Sequence, residues 1–175
     1  MAEGTALSGQ YLGMHLSISD IDVENRDFFR YCGEHNLHLQ ECTACGLVRY
    51  PPTTACPWCT EPESRWVPVE GKGTVHSYGE VHHPLQAAFR DHVPYQVLLV
   101  ELDHQRAKPS EHEALRFMGN LVTGSGELAP PDLVARVGIG SRVRVVYCDV
   151  GEGFAIPQWA IDGDGGPPPW RYAQE

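Results

Sequence analysis

Residues 42–59 read CTACGLVRYPPTTACPWC, two Cys-x-x-Cys pairs separated by ten residues, and the use of these four thiols decides the fold. They can serve a metal, a redox centre or two disulfides. The N-terminus, MAEGTALSGQYLGMHL, lacks a basic start followed by an apolar stretch, so a cytoplasmic protein is expected, and disulfides are rare in that compartment. A redox pair of the thioredoxin kind sits singly at a helix start, whereas neither pair here opens a helical pattern. A two-residue gap lets one tight turn aim both sulfurs at a single ion, with turn amides spreading the thiolate charge, and Gly46 suits such a turn. Pro51 and Pro52 forbid a helix between the pairs and favour a strand-and-loop return. Cys42, Cys45, Cys56 and Cys59 are therefore expected to bind one tetrahedral Zn2+, with iron in a rubredoxin-like site as the competitor. Four thiolates leave no open coordination position, so the ion is structural.

Upstream, DVENRDFFRYCGEH places Phe28, Tyr31 and Cys32 at i, i+3 and i+4, with Asp22 as cap and Gly33 as stop, which predicts a short helix. Phe29 widens the apolar stripe. These aromatics either cover the ribbon or form a docking surface, and Phe28, Phe29 and Tyr31 are the candidate partner-binding residues. LHLQEC then alternates as a strand entering the first knuckle.

Downstream, short apolar segments at 73–81, 95–102, 115–122, 141–150 and 154–161 predict five strands and a small closed barrel. Val143, Val145 and Tyr147 alternate with their neighbours at the period of a half-buried strand. Cys148 in that strand reads as a small core hydrophobe. HHPLQAAFRDHVP between the first two strands is expected to carry a short helix from Pro84 to Arg90, and DHQRAKPSEHEA reads as a solvated excursion. His82 and His83 are adjacent in an extended segment and point to opposite faces, which disfavours a shared ligand. The fold expected is mainly β: an N-terminal helical segment (1–35), a zinc ribbon (36–67), a small closed five-stranded barrel (68–163) and a flexible tail (164–175) draped over a neighbour or disordered.

Composition limits function. The 175 residues, 42% hydrophobic, suffice for one domain or a core with a small satellite. No apolar run approaches the length of a membrane span. A net charge of −10 and scattered arginines oppose nucleic-acid binding, since OB-fold strand binders use a basic groove with stacking aromatics. No G-x-S-x-G, P-loop or G-x-G-x-x-G motif is present, and no activated nucleophile stands beside a base.

The succession of the aromatic helix, LHLQECTACGLVRYPP, CPWC, WVPVEGKGTVHSY, PYQVLLVELD, MGNLV and GIGSRVRVVY resembles the acyl-CoA-associated proteins that fuse a rubredoxin-like zinc ribbon to an OB-fold, and the likeness runs from about Val23 to Trp159. The resemblance implies a non-catalytic accessory subunit of a thiolase-like enzyme in a hetero-oligomer, with acyl-CoA at the interface. It extends to thiolytic or retro-aldol cleavage, including that of steroid side chains. Within that frame Arg49, Arg65, Lys72 and Arg90 are candidates for CoA phosphates, because they flank the ribbon-to-barrel junction and the first long loop. The competing classes are an OB-fold nucleic-acid binder and a stand-alone acyl-CoA hydrolase or lyase. Thr60, where ribbons often carry glycine, and the long DHQRAKPSEHEA excursion depart from the family pattern.

Overall fold

A computed structural model describes residues 6–163 and 169–172; of the tail expected at 164–175, residues 164–168 and 173–175 lie outside the described residues. The chain opens with a hairpin, β1 (Leu7–Tyr11) and β2 (Met14–Ile18), within the segment expected to be helical. Its two-residue turn puts both Leu12 (φ 50°) and Gly13 (φ 78°) in the left-handed region, the conformation of a type I′ hairpin. Leu-Gly lacks the Asn or Asp that marks such turns in sequence, which is why the hairpin is not legible there.

Helix α1 spans Val23–Gly33, and the Asp22 carboxylate accepts from the Asn25 amide at 3.4 Å, as a cap should. Gly33 is not the stop. The left-handed residue is His35 (φ 54°), whose amide and that of Asn36 return to the carbonyls of Cys32 and Tyr31. Gly33 is instead a close-approach residue: a Cβ there would stand 2.3 Å from the carbonyl oxygen of Gly153, so its absence lets the helix lie on the barrel.

The ribbon is a three-stranded antiparallel sheet, β3 (His38–Cys42), β4 (Val48–Arg49) and β5 (Ser64–Pro68), in the order β4-β3-β5. The barrel follows with β6 (Lys72–Val81), β7 (Tyr95–Leu102), β8 (Arg116–Asn120), the one-turn helix α2 (Pro131–Val134), β9 (Arg142–Gly151) and β10 (Phe154–Ile161). Strand order β10-β9-β6-β7-β8, closed by a parallel bridge between Leu121 and Trp159, is that of a five-stranded OB-fold. The segment expected as a helix from Pro84 to Arg90 is a 3-10 turn at Ala87–His92.

One core joins the parts. Phe28, Cys32, Leu37, Leu39 and Val48 belong to the same buried cluster as Leu98, Phe117, Val143 and Trp159. β9 is covered on both faces: Val145 and Tyr147 pack against this cluster, and Val146 packs with Val122 and Ala160. The excursion after β7 is not wholly solvated. Gln105 turns inward, its Oε1 accepting from the Val48 amide at 2.7 Å and its Nε2 donating to the Val48 carbonyl at 2.9 Å. The barrel thus supplies β4 with the partner its free edge lacks. Residues 170–172 return to the barrel, where Trp170 pairs with Ile139 and Arg171 reaches Glu80 and the carbonyls of Val134 and Val137.

Candidate functional site

The two knuckles repeat one hydrogen-bond pattern. In the first, the Cys42 amide donates to Leu47 and the Gly46 amide to Cys42; in the second, the Cys56 amide donates to Glu61 and the Thr60 amide to Cys56. Each loop thereby turns its two thiols toward the other. All four Sγ atoms lie within 4.8 Å of one another, with Cys42–Cys59 at 3.5 Å and Cys45–Cys56 at 3.7 Å. A disulfide needs about 2.05 Å. Tetrahedral bonds of about 2.3 Å to one ion separate sulfurs by about 3.8 Å, so the spacing fits a metal.

The thiols are also tuned unequally. The Cys45 amide, donating to Cys42 Sγ, draws that thiol down to about 6. At Cys59 the Glu61 amide alone would lower the thiol, yet local desolvation within the cluster and the three neighbouring sulfurs hold it up at about 12. Four thiolates this close repel one another unless a cation sits among them. Cys42 and Cys56 are buried, while Cys45 and Cys59 face solvent.

Among the other thiols, burial raises Cys32 to about 12 and Cys148 to about 11, and Cys148 donates to the Gly126 carbonyl at 3.1 Å. Neither supplies a thiolate at neutral pH. His82 and His83 are exposed, and the only acid near His82 among the described residues is Glu80 at 3.6 Å.

The aromatic helix is divided between core and surface. Phe28 is 1% exposed, with its ring 5.1 Å from Phe29, 5.4 Å from Tyr50 and 6.1 Å from Phe117. It is a core residue and not a docking ring, because it faces the seam where helix, ribbon and barrel meet. Phe29 is half-buried, edge-on to Phe154 at 5.4 Å. Tyr31 is half-buried, stacked on His38 at 4.1 Å, and lines a shallow depression with Asp27, Arg30 and Glu34.

The four candidate phosphate cations do not converge. Arg49 is 2% exposed, with Nη2 donating to the Thr53 carbonyl at 3.0 Å, so it cannot reach a surface phosphate. Arg65 is held by Glu41, Lys72 pairs with Glu70 at 2.9 Å, and Arg90 stands exposed on the 3-10 turn. Of the four, only Lys72 lines the open cleft of about 500 Å³ at the junction of α1, ribbon and barrel. His35, Tyr147 and Arg144, which the sequence did not single out, line it too.

A four-cysteine ribbon of the rubredoxin-like kind, docked on a five-stranded OB barrel through a shared core, defines a class of two-module protein. The family model for the C-terminal OB-fold domain of ChsH2 matches residues 66–147. A DUF35 domain-containing scaffold protein of Methanothermobacter thermautotrophicus is 36% identical over 119 residues, covering 67% of this chain and 76% of that protein. The solved structure described as Ltp2-ChsH2(DUF35) aldolase matches with 30% identity and a TM-score of 0.60, over 79% of this chain and 94% of the other. A probable enoyl-CoA hydratase alpha subunit of Thermomonospora curvata is 36% identical over 102 residues, or 58% of this chain, which spans only 28% of that protein's length. The chain belongs to the DUF35 family. No helix among the described residues is long and apolar enough to cross a membrane.

Proposed function

We propose that this chain is a cytoplasmic, non-catalytic accessory subunit that binds and stabilises a thiolase-like enzyme acting on acyl-CoA, in retro-aldol or thiolytic cleavage such as that of steroid side chains. The observation that carries the reading is the likeness, across 94% of the matched chain, to a structure whose description pairs a DUF35 protein with Ltp2 in an aldolase. The name of the Thermomonospora relative adds support for CoA chemistry. Half-buried Phe29 and Tyr31 on α1, with the barrel loops, form the proposed docking surface. The cluster of four cysteines carries one structural Zn2+, which holds the knuckles in place and takes no part in bond cleavage.

A tagged chain purified from its native host should bring down a thiolase-like subunit identifiable by mass spectrometry. Cleavage of a β-hydroxyacyl-CoA or β-ketoacyl-CoA is then compared for this chain, the partner and the mixture. Full turnover by this chain alone, or a partner equally active and stable without it, would sink the accessory role.

A further inference from the structure

We propose that β2 pairs edge to edge with β2 of a second copy of this chain, joining the two hairpins into a four-stranded antiparallel sheet about a two-fold axis at Leu16. On its own the hairpin is a sheet of two strands, a unit with little independent stability in water. One of its edges is covered. A Cβ on Gly9 would stand 2.1 Å from the Val150 carbonyl oxygen, and one on Gly151 would stand 2.2 Å from that of Ser8, so β1 lies against the end of β9. β2 has no such neighbour: among the described residues no backbone hydrogen bond reaches it from any strand but β1. The two-residue turn makes Tyr11 and Met14 a hydrogen-bonded pair, and by alternation Gly9 with Leu16 and Leu7 with Ile18 are hydrogen-bonded pairs too. The amide and carbonyl groups of His15 and Ser17 therefore point to the open edge, and both residues are exposed.

Charge and register identify the occupant. Soluble proteins blunt a free strand edge with Lys, Pro, inward charges or a bulge, and β2 carries none of these. Residues 6–19 contain no Lys, Arg, Asp or Glu, although these make up 21% of the chain and its net charge is −10. Two copies of so acidic a chain repel, and the neutral hairpin is a stretch where they can meet without setting like charges opposite each other. An antiparallel copy offers the same edge groups, so His15 pairs with Ser17 of the second copy and Ser17 with its His15, each pair exchanging both backbone bonds. Leu16 then stands opposite Leu16, and Met14 opposite Ile18, in the non-hydrogen-bonded pairs where side chains approach most closely. Met14, Leu16 and Ile18 are half-buried in one chain, on the face that carries Leu7 and Tyr11, and pairing extends that face into one apolar strip. The contact is self-complementary, as a closed two-fold interface must be. The surface proposed for the enzyme subunit lies on α1 and the barrel loops, so the dimer carries two of them.

Sedimentation equilibrium of the metal-loaded full chain, alone and in reducing buffer, tests the pairing. A monomer–dimer equilibrium is expected with a Kd on the order of 10–100 μM, as suits a small interface. Ser17→Pro removes the outward amide without touching the bonds to β1, and should weaken the dimer at least about tenfold while circular dichroism and metal content stay unchanged. Cross-linking reads the register. Under mild oxidation Leu16→Cys alone should give a disulfide-linked dimer, since the two Cα atoms of such a pair stand about 4.5 Å apart, whereas Met14→Cys or Ile18→Cys should cross-link only when the two variants are mixed. The parent chain serves as the blank for its own cysteines. A chain that stays monomeric at about 1 mM, a dimer as tight in Ser17→Pro as in the parent, or Leu16→Cys that forms no linked dimer would each overturn the pairing. A chain that captures its enzyme subunit but never self-associates fails here alone, and one that self-associates but captures no enzyme fails only the accessory reading.

Discussion

Thr60 occupies the position in the second knuckle that Gly46 occupies in the first, and both are left-handed, at φ 65° and 71°. A β-branched residue pays about 1–2 kcal/mol for that conformation. Its hydroxyl bond to the Cys59 carbonyl at 2.6 Å offsets part of the cost. Thr60→Gly should therefore stabilise the metal-loaded protein by about 1 kcal/mol, measured as a higher urea midpoint, and Gly46→Thr should do the reverse. A Thr60→Gly variant that is less stable would show that the hydroxyl bond outweighs the strain. Phe28→Ala should cost about 3–5 kcal/mol and lower the melting temperature sharply, because a fully enclosed ring leaves a cavity. Tyr31→Ala, which removes a half-buried ring stacked on His38, should cost folding less than Phe28→Ala and weaken partner association as well. The helical spacing identifies the stripe these residues share. It cannot rank them by depth, since that depends on Tyr50 and Phe117, which arrive from other elements.

The ribbon's sheet is small, and an ion held by its four cysteines would supply much of its stability. Elemental analysis should give one zinc per chain. Stripping the ion, or Cys45→Ser, should unfold the ribbon, seen as a change in the emission of Trp58 and Trp66; folded protein holding neither zinc nor iron would refute the site. The turn after β7 is fastened by Asp103, which accepts from Arg142 at 2.8 Å and also pairs with Arg106. The Arg142 hydrogen bond holds the Asp103 carboxyl at about 2, below its ordinary 3.8. The folded value being the lower one, its stabilisation is present above about pH 4 and is lost as pH falls toward 2. The pair is about one-third exposed, so the loss stays under about 1 kcal/mol. Urea titrations between those limits should show a shallower acid loss in Asp103→Asn than in the parent chain. The barrel strands were legible from alternation and turn residues. The hairpin was not, and neither was β5, whose SRWVP has no clean period and becomes a strand by pairing with β3.

At the scale of the whole molecule, α1, the ribbon and the barrel share one core, so a partner docked on α1 also touches the element that backs the barrel. Loss of the metal should therefore reduce association with the enzyme subunit as well as stability. Comparing pull-down by zinc-loaded and stripped chain checks this, and equal capture by both would separate ribbon from docking. The knuckle spacing and the strand periods specified a four-cysteine ribbon and a small barrel, because each depends on residues close together in the chain. The tertiary structure alone decided that Phe28 and Arg49 are buried, that Gln105 completes the ribbon edge, and that Lys72 faces Arg144 across β6 and β9. Those arrangements join residues separated by tens of positions, and only strand register and packing bring them together.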